Sequence, residues 1–200
     1  MIQMPLAINI IQIIIQIFKQ AEKVTENGLI AFQGLVVGFG EQIEIAEIGS
    51  YIKYALQSKD NECTKLACGI VSDLSTGMGE RIGEYLDDFV PCLHEILRDQ
   101  TLDRRIKLPA LTALGDLCMY SGVAFNQKYL DTTLSIMNIA ARASVNITGL
   151  DNDTLEFLSL LRETIIDQYI IILMAASESG FLAKYSPHLA SIYDFSEATV

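Results

Sequence analysis

The sequence GIVSDL at positions 69–74 returns as TALGDL at positions 112–117, and the two Asp-Leu pairs lie 43 residues apart. The tripeptide YLD at positions 85–87 returns at positions 129–131, at almost the same step. Each step holds two segments with helical periodicity, and a period of about 40–47 residues with two helices is the length of a HEAT repeat. The chain is therefore predicted to be all-α, an α-α superhelix of the HEAT/armadillo-like solenoid class with about four to five helix pairs.

Helical segments are predicted along the whole chain, with breaks at short clusters of Gly, Asn, Asp and Ser. The predicted helices span 5–23, 26–39, 43–58, 61–77, 82–98, 103–121, 126–143, 151–176 and 181–194. The expected repeat units span about 1–40, 41–78, 79–122 and 123–177, with a partial unit at 178–200. Because the end helices lack strongly polar capping faces, this single solenoid domain is expected to be a fragment of a longer array.

Composition limits the classes of partner. The chain has 200 residues, is 50% hydrophobic and carries a formal net charge of -11. Nucleic-acid binding is not expected, because phosphate recognition requires a basic surface. The acidic balance suits a basic protein partner, but acidic residues also keep a repeat protein soluble, and the charge alone leaves both alternatives open. The four cysteines stand singly in apolar helical stretches. They are expected to be reduced core thiols of a cytosolic or nuclear protein, with no metal or other cofactor.

The N-terminal segment 2–18 is rich in isoleucine, as a signal peptide or a membrane helix would be. Polar residues nevertheless recur in this region at steps of three and four, which places them on one side of a helix. They are Asn9, Gln12, Gln16 and Lys19. The segment is therefore predicted to be a buried solenoid helix, and membrane insertion is not expected.

Three stretches carry a pattern that is specific in its order and spacing. They are GIVSDL at 69–74, RIKLP at 105–109 leading to LGDL at 114–117, and LLRET at 160–164 leading to Tyr169. Together they resemble the middle-to-C-terminal HEAT repeats of the importin beta (karyopherin beta) family. The resemblance runs from about Leu29 to Leu173. The N-terminal arch and the acidic loop of that family are missing from these residues.

The resemblance implies a nuclear transport receptor that moves between cytoplasm and nucleus through the nuclear pore. In this family a concave acidic surface binds importin alpha or a basic cargo segment, and Ran-GTP releases the cargo. Phe-Gly repeats of nucleoporins dock in apolar slots between neighbouring outer helices. The alternative is a HEAT scaffold outside transport, such as a phosphatase-type scaffold, which would bind its partner at the inter-helix turns.

Polar residues on the second helix of each pair are the candidates for partner contact, because that helix lines the concave side of a HEAT solenoid. Carboxylates spaced along such a surface can pair with Lys and Arg of an extended basic segment. The candidates are Asp73, Asp116, Glu156, Arg162 and Glu163. For Asp73 and Asp116 a local bond to the neighbouring loop is the alternative. For Arg162 and Glu163 a structural role is likewise left open.

Aromatic residues on the first helices are the candidates for a Phe-Gly slot, with core packing as the alternative. They are Tyr85, Phe89, Phe125 and Tyr129. Gly69 and Gly115 are expected to allow close helix approach, because glycine inside a helix costs about 1 kcal/mol relative to alanine. His94 is expected on a helix surface. Neither it nor His188 has a nucleophile at a recognisable spacing, so the chain is not expected to be an enzyme.

Overall fold

The computed structural model describes residues 4–21, 23–43, 45, 48–145, 149 and 151–199. Regular structure within these residues is entirely helical, which confirms the all-α prediction. The α-helices are α1 (Met4–Ala21), α2 (Glu26–Phe39), α3 (Gly49–Gln57), α4 (Asn61–Met78), α5 (Leu86–Arg98), α6 (Lys107–Ser121), α7 (Val123–Lys128), α8 (Leu130–Ser144), α9 (Asn152–Glu178), α10 (Leu182–Tyr185) and α11 (Leu189–Thr199). Short 3₁₀ segments lie at Gly40–Gln42, Gly79–Tyr85, Arg104–Ile106 and Ser186–His188.

Polar caps and glycines set the ends of several helices. The side chains of Thr25, Asp60 and Asp151 accept hydrogen bonds from the backbone N–H three residues ahead, at 3.3, 3.0 and 2.8 Å. These bonds satisfy amide donors that the first turn of a helix leaves free. Helices α4 and α6 end at Gly79 and Gly122, whose φ angles are 56° and 44°. Because side chains disfavour this region, glycine ends both helices at low cost.

Helices adjacent in sequence pack as pairs: α1 with α2, α3 with α4, α5 with α6, and α8 with α9. The second helices α2, α4, α6 and α9 also pack against one another in that order, over long stretches. The first helices α3, α5 and α8 touch each other less, and α11 packs beside α8. A stack that is tight in one layer and open in the other curves towards the tight layer. The second helices therefore form the inner side, as in a HEAT solenoid.

The hydrophobic core runs between the two layers along the whole stack. Large side chains from both layers are buried in it, among them Phe32, Ile52, Ile70, Leu93, Leu114 and Ile165. All four cysteines are free and buried, as the sequence predicts. Burial raises the pKa of the Cys68 and Cys118 thiols to about 12, so both stay protonated near neutral pH.

Helix α1 packs one side on the core through Ile11, Ile15 and Phe18. The predicted polar stripe is exposed to solvent, which confirms the amphipathic interpretation. Ile13 and Ile17 are exposed as well. Within the part of the chain that the structure describes, no helix has the length and apolar character needed to cross a membrane.

Two glycines of the inner layer allow unusually close contacts, one with a backbone and one with a side chain. A Cβ added to Gly77 of α4 would lie 2.6 Å from the Cα of Gly40, which begins the 3₁₀ segment after α2. A Cβ added to Gly115 of α6 would lie 1.8 Å from Oε1 of Gln168 on α9. Close approach at Gly115 was predicted from the sequence, and the contact confirms it. At Gly69 the nearest atom, Nε2 of Gln33, would be 3.3 Å away.

The observed boundaries differ from the predicted ones at several places. Helices α5 and α6 begin at Leu86 and Lys107, after 3₁₀ segments, where the predicted helices begin at 82 and 103. The predicted helix 126–143 is split into α7 and α8 at Tyr129, whose φ of -117° interrupts the helix. The predicted helix 43–58 is helical only over Gly49–Gln57, and residues 44, 46 and 47 lie outside the described part. The predicted helix 181–194 contains a 3₁₀ turn at Ser186–His188, where Pro187 has no amide to donate.

Candidate functional site

Side-chain hydrogen bonds join the second helices of the first three pairs. Nε2 of Gln33 on α2 donates to Oδ2 of Asp73 on α4 at 2.8 Å. One pair further along, Oγ of Ser72 on α4 donates to Oδ2 of Asp116 on α6 in a short hydrogen bond. Burial raises the pKa of Asp116, an effect that the Ser72 bond opposes. Both predicted contact residues, Asp73 and Asp116, are therefore bonded within the protein, to the neighbouring second helix and not to a loop.

At the next interface of the inner layer, between α6 and α9, the described residues include no such bond between second helices. At the position that Ser72 occupies in α4, helix α6 carries Gly115, which has no side chain to donate. Gln168 of α9 packs against that glycine and is only 4% exposed. Its Oε1 has no hydrogen-bond partner among the described residues. At this point α6 and α9 are therefore held together by close packing, without a hydrogen bond to Oε1 of Gln168 from the described residues.

The other predicted contact residues lie on α9 and differ in role. Arg162 donates from Nε and Nη2 to the backbone carbonyl of Ser144 at 3.0 and 2.6 Å, which ties α9 to the end of α8. Arg162 is therefore held in a structural contact. Glu156 and Glu163 are exposed and lie seven residues apart, hence two turns apart on the same face of the helix. These two carboxylates are open to a partner.

The four aromatic residues predicted for a Phe-Gly slot are packed in two pairs. Phe89 and Phe125 are fully buried, whereas Tyr85 and Tyr129 are half-buried. The ring centroids of Tyr85 and Phe89 lie 6.3 Å apart, and those of Phe125 and Tyr129 lie 5.9 Å apart. The burial of Phe89 and Phe125 corrects their assignment to an open slot: both belong to the core, the alternative set out above.

An open apolar slot does exist between the first helices, but none of those four aromatic residues lines it. It lies between α5 and α8 and has a volume of about 730 Å³. One face of α8 forms its wall, and Ile139 in that wall is 70% exposed. Side chains of α6 and α9 close its base, among them Leu111, Phe157 and Leu161. A cleft of this size and lining is typical of a ligand site.

Basic residues stand along one side of this slot, which we call the α5/α8 slot. Arg98, Arg104 and Lys107 all line it. Nη1 of Arg104 donates to Oγ1 of Thr154 at 2.8 Å, and its guanidinium carbon lies 5.1 Å from the centroid of the Phe157 ring. Arg104 also forms a short ion pair with Asp153. Burial lowers the pKa of Lys107, an effect that Asp99 opposes.

Smaller clefts occupy comparable places between other first helices. One of about 390 Å³ lies between α3 and α5, where Lys59 and Arg98 stand beside Glu95 and Asp99. Another of about 120 Å³ lies between α8 and α11, near Arg142. The α5/α8 slot is thus the largest of these three clefts, which lie between successive first helices on the outer side.

Ion pairs tie successive pairs together along the outer edge. Nζ of Lys53 on α3 lies 2.8 Å from Oδ1 of Asp88 on α5. The neighbouring Asp87 accepts from Nζ of Lys128 at 2.6 Å and, in a short bond, from the hydroxyl of Tyr129. The Lys128 and Tyr129 bonds hold the pKa of Asp87 below its usual range. Asp87 and Asp88 thus form a junction between helix pairs.

The expectation that His94 lies on a helix surface is wrong. Its side chain is 5% exposed and its Nε2 lies 2.9 Å from Oγ1 of Thr133 on α8. Burial, with a smaller effect of Arg98, lowers the pKa of His94 to about 4. The imidazole is therefore a neutral core group near neutral pH. Within the described residues, no cluster of three His, Cys, Asp or Glu side chains could hold a metal ion.

The α5/α8 slot was not predicted, although α8 carries a signal for it. A helix that packs on one neighbour needs one apolar stripe, and the buried residues Leu130, Leu134, Met137 and Ala141 supply it. A second apolar group, Ile136, Ile139, Ala140 and Ala143, occupies another side of the same helix. Two apolar sides on one first helix indicate either a second packing partner or an open binding surface.

Comparisons with known proteins agree with the fold and the resemblance. A family model described as importin subunit beta-1-like, TPR repeats, matches residues 3–200. Importin subunit beta-1 of Schizosaccharomyces pombe is 26% identical over 192 residues, which cover 92% of this chain and 22% of that protein. The chain thus spans about a fifth of the length of this curated relative.

Solved structures show the same architecture. A crystal structure of importin beta in a polyethylene glycol condition superposes with a TM-score of 0.82 at 25% identity, covering 96% of this chain and 23% of that one. The Kap95:Nup1 complex superposes with a TM-score of 0.80 at 19% identity, covering 96% of this chain and 22% of that one. Since the family model matches nearly the whole sequence, the chain belongs to the importin subunit beta-1-like family.

Proposed function

We propose that this chain is a segment of a nuclear transport receptor and that its α5/α8 slot binds Phe-Gly repeats of nucleoporins. The open slot with its exposed Ile139 is the observation that carries the proposal. Its apolar wall and base offer a surface on which a phenylalanine ring loses contact with water. A solved structure of the same fold is a complex of Kap95 with Nup1, which supports a nucleoporin as the partner.

The energetics favour a weak contact that gains strength by repetition. Burying one phenylalanine side chain contributes about 1.5–3 kcal/mol before the cost of ordering the peptide. The adjoining clefts between α3 and α5 and between α8 and α11 offer additional places along the same side. Linked Phe-Gly repeats can therefore bind with higher avidity than a single one.

Replacement of Ile139 by Asp tests this proposal. The carboxylate places a charge where the ring must dock, and we expect binding of a fluorescent Phe-Gly peptide to weaken about tenfold. Ile30→Asp is the matched control, because Ile30 is 48% exposed on α2 and does not line the slot. Equal binding by the two variants, with unchanged circular dichroism, would show that the peptide does not use this slot.

A second candidate partner is a basic segment of importin alpha or of cargo. Exposed Glu156 and Glu163 on one face of α9, in a chain of net charge -11, favour it. We expect the affinity for such a peptide to fall steeply with salt. The double change Glu156→Gln and Glu163→Gln should weaken it in low salt and leave Phe-Gly binding intact. Affinity that does not depend on salt would argue against this site.

Family membership favours transport over the phosphatase-type scaffold alternative. We accordingly propose binding to Ran-GTP as a further property of the complete receptor, a location in cytoplasm, nucleus and nuclear pore, and a role in binding without catalysis. Pull-down with Ran loaded with GTP or GDP tests the first of these. Capture of the GTP form alone would support it, and capture of neither form would oppose it for this segment.

A further inference from the structure

The charges around the α5/α8 slot are unlike those of the chain as a whole. The protein carries a net charge of -11. The slot nevertheless has three basic residues in its lining, Arg98, Arg104 and Lys107, against one acidic residue, Asp131. An apolar cleft edged by cations is complementary to an apolar group that has an anion next to it.

Most of these charges already have partners. Arg104 is paired with Asp153, and Nη1 of Arg98 lies 3.4 Å from Oε1 of Glu95. On the opposite wall, Oδ2 of Asp131 lies 3.8 Å from Nζ of Lys184. These three groups therefore have less to gain from a charged ligand than an unpaired cation has.

Lys107 differs from them. It begins α6, is half-buried in the lining of the slot, and among the described residues forms no hydrogen bond or ion pair. A cation that is partly removed from water bears a desolvation cost, and the charge of Asp99 offsets only part of it, because the pKa of Lys107 is still lowered. A carboxylate brought in by a ligand would repay it, and its attraction would be stronger there than on an open surface.

We propose that the α5/α8 slot selects peptides in which the docked apolar side chain has an Asp or Glu close to it in sequence, and that Lys107 is the residue that reads this carboxylate. The inference rests on the proposed function and adds a charge preference to it. The smaller cleft between α3 and α5 provides an internal contrast, because there Glu95 and Asp99 stand beside Lys59 and Arg98. Balanced charges of that kind give no such preference.

Three peptides that differ at one position test the preference. Each contains one Phe-Gly pair, and the residue two places after the phenylalanine is Asp, Asn or Lys. Anisotropy titrations of the full chain in low salt should rank them Asp over Asn over Lys, with about two- to fivefold between neighbours. The differences should shrink as salt is added.

Variants of Lys107 assign the preference to that residue. Lys107→Met keeps the apolar stem, so we expect the Asn peptide to bind as before and the Asp peptide to lose its advantage. Lys107→Glu should reverse the ranking. Lys65→Met, which removes an exposed lysine of α4 outside the slot, is the control and should leave the ranking unchanged.

The results distinguish failure of the charge preference from failure of the Phe-Gly site itself. If the Asn peptide binds and Ile139→Asp abolishes that binding, but Asp gives no advantage or Lys107→Met leaves the advantage intact, the charge preference is overturned and the Phe-Gly site stands. If no peptide binds, or binding is indifferent to Ile139→Asp, the proposed function fails and the preference falls with it.

Discussion

Acidification below pH 6.5 should destabilise this protein through His94. The imidazole is buried beside Thr133, and the ring of Tyr129 lies 6.4 Å away, centroid to centroid. Placing a proton on it would bury a positive charge near Arg98. The folded state therefore keeps His94 neutral to about pH 4, whereas the unfolded chain protonates it near the ordinary value of 6.5.

The sign and size of the change in the free energy of unfolding follow from this difference in the pKa of His94. Above pH 6.5 both states are neutral at His94 and no pH dependence arises. Between pH 6.5 and 4 the unfolded state binds a proton that the native state refuses, so the free energy of unfolding falls as the pH falls. A change in pKa from 6.5 to about 4 corresponds to about 3 kcal/mol, at 1.36 kcal/mol per unit. Asp116, whose pKa burial raises, acts in the opposite direction at the acidic end.

Urea denaturation at several values between pH 7.5 and 4.5, followed by circular dichroism, measures this dependence. The variant His94→Gln has no titrating group at that place and retains a side chain able to bond Thr133. We expect it to be less stable than the parent at pH 7 and to lose less stability on acidification. Parallel pH profiles for the two proteins would refute the reasoning, because the acid sensitivity would then come from other groups.

Two further predictions concern the contacts between helix pairs. Gly77→Ala should destabilise the fold by about 1–3 kcal/mol, because its Cβ meets the backbone of Gly40 and neither can rotate away. Gly34→Ala, with open space around it in α2, should stabilise by up to about 1 kcal/mol, and thermal unfolding of both variants compares the signs. Asp153→Asn removes exposed ion pairs with Arg104 and Arg105, so it should cost less than about 1 kcal/mol in urea denaturation and less still in high salt.

The sequence was sufficient to predict the fold class because its signals are local and repeated. The predicted helix 26–39 is observed with the same bounds. Asp103 caps the 3₁₀ turn Arg104–Ile106 that leads into α6, accepting from the N–H of Arg105 at 2.8 Å. The split at Tyr129 was missed, since no glycine or proline marks it. Burial of His94 was missed as well, because its bond to Thr133 joins residues 39 positions apart.

Prediction of the binding surface succeeded less well, for a physical reason. Periodicity shows which side of a helix faces the core, but not how far two first helices from successive pairs stand apart. Phe89 and Phe125 were predicted for a slot because they are aromatic residues of first helices, but they fill the core. The α5/α8 slot instead uses smaller residues such as Ala140 and Ala143, which leave space because they are small.

The bare contact between Gly115 and Gln168 has a consequence for how the stack can move. Elsewhere in the inner layer, hydrogen bonds fix the position of one helix along the next, because a hydrogen bond depends on both distance and direction. These bonds join Gln33 to Asp73 and Ser72 to Asp116. Between α6 and α9, in the part of the chain that the structure describes, the side-chain bonds lie at one end, where Arg104 and Arg105 of the turn before α6 reach Thr154 and Asp153. In the middle of this interface, Oε1 of Gln168 has no hydrogen-bond partner. We therefore expect the helices to shift more easily around Gly115 than at the bonded end, and such a shift would widen or narrow the α5/α8 slot on the outer side of this interface.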